Sequence, residues 1–373
     1  MIAGRRRSIA GAIVVTLAAA GLIGCSGPLT RAPVGATSVP QAPPASPHSS
    51  AQSGDPAATA SPGTSDSRTE QPSPSPSAAL PAKVIQQRPG WALDRIDQRR
   101  RPLDQHFTTT GQGRGVTVYV VDGLFDVTNP EFDGRASVGL ARGKACTLED
   151  GINHGLFVAG LVAGRHTGVA KQAKVVLIGS SNGCEGAEES TEAQATTRIV
   201  RGLTWVARNA HQPAVVNLSL NVRAPAPAIT AAVKRLTDAG LTVVASAGND
   251  GADACDHPPA GLPTVITAGA STMSDRDAGL NHGRCVDLFA PAEDVTSVVD
   301  PFLDRDRLVT SEGAATSWAA PLVSGAAALY LSVHPHASAE QVHDWLIDNA
   351  TQGAMRGSLH GSPNRLLFTG GPL

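Results

Sequence analysis

The sequence predicts an α/β fold for residues 88–373, a doubly wound and mostly parallel sheet covered by helices on both faces. Short apolar runs rich in Val and Ile, the pattern of strands buried on both faces, alternate with longer segments of helical period. Capping and stop residues stand at the ends of the helical segments. The residues before 88 lack the material of a core, since the first aromatic residue in the chain is Trp91. A stretch dominated by Pro, Ser, Ala and Thr cannot bury enough apolar surface to offset its chain entropy.

Residues 1–24 read as an export signal. Arg5, Arg6 and Arg7 form a positive start, and the apolar run from Ile9 to Ile23 is too short for a comfortable membrane span. It ends in Leu22-Ile23-Gly24-Cys25, which resembles a bacterial lipobox. There the cysteine thiol receives diacylglycerol and becomes the mature N-terminus; an ordinary cleaved signal or an uncleaved anchor is the alternative. Residues 25–87 read as a disordered linker with Pro-Ser-Pro-Ser-Pro at 72–76, a tether reaching on the order of 50–150 Å. Order is expected from about Trp91. Strands are expected over Val116 to Val121, Ala173 to Gly179, Ala214 to Leu220, Leu241 to Ala245 and Thr264 to Ala268. Between them, Thr191 to Asn209 places Ile199, Val200, Leu203 and Val206 on one helical face. Pro227 to Ala239 is a second helix, stopped by Gly240, and Ser338-Ala339-Glu340-Gln341 is a capping-box start for a last one through Asn349.

Net charge is -2 and the sequence pI about 6.6, which argues against a nucleic-acid partner or a polybasic membrane patch. Zinc-type Cys/His spacing, a helical His-Glu-x-x-His and a phosphate-cradling Gly-rich loop are all missing. Five cysteines is an odd number for an exported chain. With Cys25 consumed by lipid, Cys146, Cys184, Cys255 and Cys285 remain, an even set suited to disulfides in an oxidising compartment. Four cysteines allow three pairings, and spacing does not choose among them.

Three local sequences carry chemistry. The run Val118 to Val121 leads straight into Asp122, so a carboxylate stands at a strand's carboxyl end, where α/β sheets place ligands. His154 opens a helix of small and apolar residues, Gly155 to Gly160. Ser317 opens another, running to about Leu331, with Pro321 expected in its first turn. Singly, Asp122 would serve as a turn residue, His154 as a half-buried hydrogen-bonded histidine and Ser317 as a helix cap. Together, in the order Asp, His, Ser, they supply a nucleophile, the base that takes its proton, and the carboxylate that orients the base.

This arrangement resembles the subtilases, and within them the proteinase K and aqualysin branch. The resemblance extends through Trp91-Ala92-Leu93-Asp94-Arg95-Ile96-Asp97-Gln98, Asn129-Pro130-Glu131-Phe132-Asp133-Gly134-Arg135, Gly168-Val169-Ala170, Pro213 to Leu220 and Gly361 to Leu367. It implies a serine endopeptidase with Asp122, His154 and Ser317 as catalytic residues. Asn249, in Ala247-Gly248-Asn249-Asp250, would be a donor to the oxyanion. Ser219, Leu220, Asn221, Ala247 and Gly248 would line the substrate site. By the same resemblance Cys146 pairs with Cys184 and Cys255 with Cys285. Asp287 with the backbone carbonyls of Pro263 and Val265 would hold a structural calcium; no cofactor is needed for the chemistry. The partners expected are a peptide or protein substrate and a membrane, through the lipid anchor, with no nucleic acid and a monomeric chain. The location expected is the outer side of a bacterial membrane, or secretion.

Some flanking residues depart from the family pattern. Asp122 is followed by Gly123 and Leu124 in place of a hydroxyl residue and a glycine, and if that glycine's place demands a left-handed backbone, Leu124 is strained. His-Gly-Thr-His reads His154-Gly155-Leu156-Phe157, Gly before Thr-Ser reads Ala315, Trp318 replaces Met and Leu322 replaces His. Ser-Leu-Gly-Gly reads Ser219-Leu220-Asn221-Val222, and two new side chains there would narrow the cleft. An acidic insertion carries Glu185, Glu188, Glu189 and Glu192. Residues 26 to 83 do not resemble the folded prodomain usual in the branch. The alternative to an enzyme is therefore the same fold used as a surface binding module without turnover.

Overall fold

The computed structural model describes residues 83–142, 152–181, 191–299, 308–371 and 373. The chain opens with β1 (Lys83–Gln87), α1 (Trp91–Ile96) and β2 (His106–Thr110), then β3 (Thr117–Asp122), β4 (Ala136–Leu140), α2 (His154–Ala163) and β5 (Lys174–Gly179). It continues through α3 (Glu192–Asn209), β6 (Ala214–Leu218), α4 (Pro227–Asp238), β7 (Thr242–Ser246), β8 (Ile266–Ser271) and β9 (Leu288–Pro291). A small ribbon of β10 (Thr296–Val298) and β11 (Leu308–Thr310) precedes α5 (Thr316–Val333), α6 (Ala339–Asn349), β12 (Thr351–Gln352) and β13 (Arg365–Leu366).

Alternation along the strands sorts the core into two layers. On β3, Val118 and Val120 join the apolar cluster formed with α2 and α5, while Tyr119 and Val121 join the one formed with α3 and α4. Ile199, Leu203 and Val206 of α3 and Ile229, Val233 and Leu236 of α4 complete the second layer. The strand order is β12-β13-β9-β8-β7-β6-β3-β5-β4, and every pairing but β12 with β13 is parallel. Strand β3 lies between β5 and β6: the chain passes from β3 to β4 and β5 on one side of it, then to β6, β7, β8 and β9 on the other. The carboxyl end of β3 is thus at the topological switch point, where open α/β sheets place ligands. The doubly wound parallel sheet predicted from the sequence is the observed one.

Helix starts follow the side chains. Thr191 with Gln194, and Ser338 with Gln341, form reciprocal capping boxes at α3 and α6. Gly240, at φ +76°, follows α4. Three local expectations are corrected. Lys83–Gln87, inside the stretch read as linker, is strand β1, paired antiparallel with β2; its β-branched Val84 and Ile85 favour a strand once a partner is present. Strand β8 runs on to Ser271 because Gly269 is extended rather than a stop, and a Cβ there would lie 2.9 Å from the Phe289 ring. Pro321 stands inside α5, beyond its first turn.

Cys255 and Cys285 form a disulfide, Cα to Cα 5.2 Å. Cys25, Cys146, Cys184, Glu185, Glu188 and Glu189 lie outside the described residues, as do the stretch read as a signal and, up to residue 82, the stretch read as a linker. Among the described residues no helix is long and apolar enough to cross a membrane.

Candidate active site

Asp122 ends β3 and His154 begins α2, and the two elements are drawn together by a close backbone approach. A Cβ at Gly155 would lie 2.4 Å from the Gly123 carbonyl oxygen and 3.3 Å from Asp122 Oδ1, so only glycine allows it. Asn153 caps α2, its Oδ1 accepting from Leu156 N–H at 3.0 Å, which fixes where His154 leaves the helix. His154 Nδ1 lies 2.8 and 3.0 Å from the two Asp122 oxygens, both residues being buried. A carboxylate only accepts, so Nδ1 carries the proton and Nε2 presents its lone pair. That Nε2 is buried and has no hydrogen-bond partner.

The residue after Asp122 lacks a hydroxyl; its backbone N–H donates to Asp122 Oδ1 at 2.6 Å. Leu124 keeps an ordinary negative φ and packs against the core, so the strain anticipated there does not arise. Trp318 and Phe157, both departures from the family pattern, pack on each other at 4.4 Å between ring centroids. Trp318 also lies 5.1 Å from the His154 ring.

Ser317 sits in the first turn of α5, where its backbone N–H has no intrahelical acceptor. Thr316 N–H and Oγ1 both donate to Asn249 Oδ1, at 2.8 and 2.9 Å, and Thr316 Oγ1 accepts from Gly248 N–H at 3.1 Å. With its oxygen held on Thr316, the Asn249 amide presents its N–H bonds on the opposite side. Asn249 is thus tied through Thr316 to the residue next to Ser317. Ser317 Oγ itself donates to the Ser219 carbonyl at 3.3 Å, not to His154. Pro321 has no N–H to offer the Ser317 carbonyl one turn back, and Ser219 Oγ supplies that bond instead, at 2.9 Å. Asn217 Nδ2 donates to Ser219 Oγ at 3.0 Å and Ser324 Oγ to Asn217 Oδ1 at 2.8 Å. Sequence reasoning missed this buried chain, which ties β6 to α5; its one visible signal was the proline.

Asp122, His154, Ser317, Asn249, Ser219 and Gly248 converge at the carboxyl ends of β3, β6 and β7. Residues 113–363 match the model of the Subtilase family. The chain belongs to the subtilase family. It is 39% identical over 290 residues to an extracellular serine proteinase from Thermus sp. strain Rt41A, covering 77% of this chain and 68% of that one. To the alkaline serine exoprotease A of Vibrio alginolyticus it is 36% identical over 281 residues, covering 75% of this chain and half of that relative. The crystal structure of a cold-adapted subtilisin-like serine proteinase superposes with a TM-score of 0.66 at 34% identity, covering 76% of this chain and 98% of that one. This subtilase is a subtilisin-like serine endopeptidase.

The residues that would hold a structural calcium by the resemblance, Asp287, Pro263 and Val265, all lie in the described part of this subtilase. Asp287 is the one carboxylate of the set, and its Oδ2 accepts from Thr267 N–H at 2.7 Å. Its Oδ1 faces His343 Nε2 at 3.6 Å, and the Asp287 carboxylate raises the His343 pKa.

Proposed function

We propose that this subtilase hydrolyses peptide bonds through Asp122, His154 and Ser317, on the outer side of a bacterial membrane to which Cys25 anchors it. The carrying observation is the 2.8 Å pairing of His154 Nδ1 with Asp122, which leaves Nε2 as a base without a partner. Rotation about χ1 moves the Ser317 hydroxyl from the Ser219 carbonyl to Nε2. Ser317 Oγ then attacks the scissile carbonyl carbon as Nε2 takes its proton. The Asn249 amide and Ser317 N–H hold the oxyanion, and Asp122 stabilises the imidazolium without accepting its proton. Collapse of the tetrahedral species expels the amine, which receives the proton from His154. Water, activated by the same nitrogen, releases the acyl group and restores Ser317.

The mature chain should degrade an unstructured protein such as casein, and Ser317→Ala should abolish that degradation at an unchanged melting temperature. A folded wild type that binds peptides and leaves them intact would instead select the binding-module reading, for which the Ser317–Ser219 bond would be the resting state of the hydroxyl. The anchor rests on Leu22-Ile23-Gly24-Cys25 and on the even cysteine set left when Cys25 is taken by lipid. Cys25→Ser should release soluble protein or leave the signal unprocessed. Membrane retention unchanged by the substitution would contradict a lipid anchor.

A further inference from the structure

In the proposed reaction His154 delivers its proton to the leaving amine, so its side of Ser317 belongs to the departing half of the substrate. The acyl half lies on the other side, next to the oxyanion donors. Two segments wall that space. Ser219–Val222, leaving β6, exchanges hydrogen bonds with Ser317 through Ser219. Ser246–Asn249, ending and leaving β7, holds Thr316 through Gly248 and Asn249. The side chain of the residue whose carbonyl is attacked must enter between them.

That space is occupied. The Asn221 side chain, only 6% exposed, starts on the first wall and reaches the second, its Nδ2 lying 3.5 Å from Ser246 Oγ. A Cβ built on Gly248 would lie 3.2 Å from the same nitrogen, so the amide also rests against the backbone of the second wall. Val222 behaves differently, packing into the apolar layer under α3 and α4.

We propose that Asn221, bridged to Ser246, closes the acyl-side pocket, and that the substrates of this subtilase carry Gly, Ala or Ser at the residue whose carbonyl is attacked. The inference rests on the serine-peptidase reading and names its substrate class. A small side chain leaves the bridge in place. A large one must displace the Asn221 amide and strand it and Ser246 Oγ as buried polar groups without partners, which is costly.

The test is a series of peptide anilides that differ only at that residue, with Gly, Ala, Ser, Leu, Phe or Lys. They are turned over by wild type, Asn221→Gly and Asn221→Ala, with fluorophosphonate labelling of each protein alongside. Wild type should favour Ala over Phe by about 10²-fold in kcat/KM. In Asn221→Gly the ratio should fall to near unity or invert, and Asn221→Ala carries the same expectation should the glycine variant fail to fold. A labelled wild type that accepts Phe as well as Ala overturns the closed pocket alone. So does an unchanged ratio in the labelled variants. A folded wild type that does not label overturns the peptidase reading and the pocket with it.

Discussion

Thr316 Oγ1 accepts from Gly248 N–H and donates to Asn249 Oδ1, so one hydroxyl sets the direction of the amide proposed to bind the oxyanion. That amide acts only when charge develops on the substrate oxygen, so disturbing it should lower kcat and leave KM nearly unchanged. Asn249→Ala removes the donor, a loss on the order of 10²–10³ in kcat. Thr316→Val leaves the donor and loosens its aim; a neutral hydrogen bond of about 1 kcal/mol corresponds to roughly a fivefold drop. Steady-state kinetics on both variants checks the order, and a Thr316→Val loss as large as that of Asn249→Ala would contradict it. Asp122, His154 and Ser317 were legible in the sequence because each stands at the end of a buried run and the chemistry requires those three types. Asn221 and Val222 were not separable. Which of two adjacent side chains enters a cleft depends on where β6 stops, and the apolar run continued to Leu220 although the strand ends at Leu218.

At the scale of elements, α1 and β2 show how a segment after the tether is fastened. Arg95 of α1 is buried and paired with Asp275 at 2.7 Å, and Thr369 N–H donates to the Ile96 carbonyl at 2.7 Å. Asp97, which ends α1, accepts from Thr108 N–H of β2 at 2.7 Å through Oδ2, while its buried Oδ1 has no hydrogen-bond partner. Burial, reinforced by the nearby charges of Asp104 and Asp94, pushes its pKa up to about 6. A raised carboxyl pKa means that the folded chain holds a proton the unfolded chain has released. Asp97 therefore contributes stability at low pH that is lost as pH rises from about 4 to about 6. Asp97→Asn keeps a carbonyl oxygen for Thr108 and removes the charge. Compared in a Ser317→Ala background to prevent self-digestion, the asparagine variant should gain in melting temperature relative to its parent between pH 4.5 and pH 7.5. A difference that does not change with pH would contradict this. The long elements were legible from their periods and caps. Strand β1 was not, since Lys83–Gln87 becomes a strand only by pairing with β2, and Pro321 was placed a turn too early because its real compensation, Ser219 Oγ, lies 102 positions upstream.

For the whole molecule, the fold was legible because a parallel sheet buried on both faces leaves a strong pattern, and the site because such a sheet has one switch point. Residues from β3, α2, α5 and the ends of β6 and β7 meet there, although Asp122 and Ser317 are 195 positions apart in the chain. In the proposed mechanism this convergence activates Ser317. An active-site-directed fluorophosphonate tests the claim without assuming any substrate, since it reports only a serine hydroxyl made nucleophilic by a base and an oxyanion site. Wild-type protein should label at Ser317, and Ser317→Ala and His154→Ala should not label. A wild-type chain with a cooperative melting transition that stays unlabelled at neutral pH would contradict it.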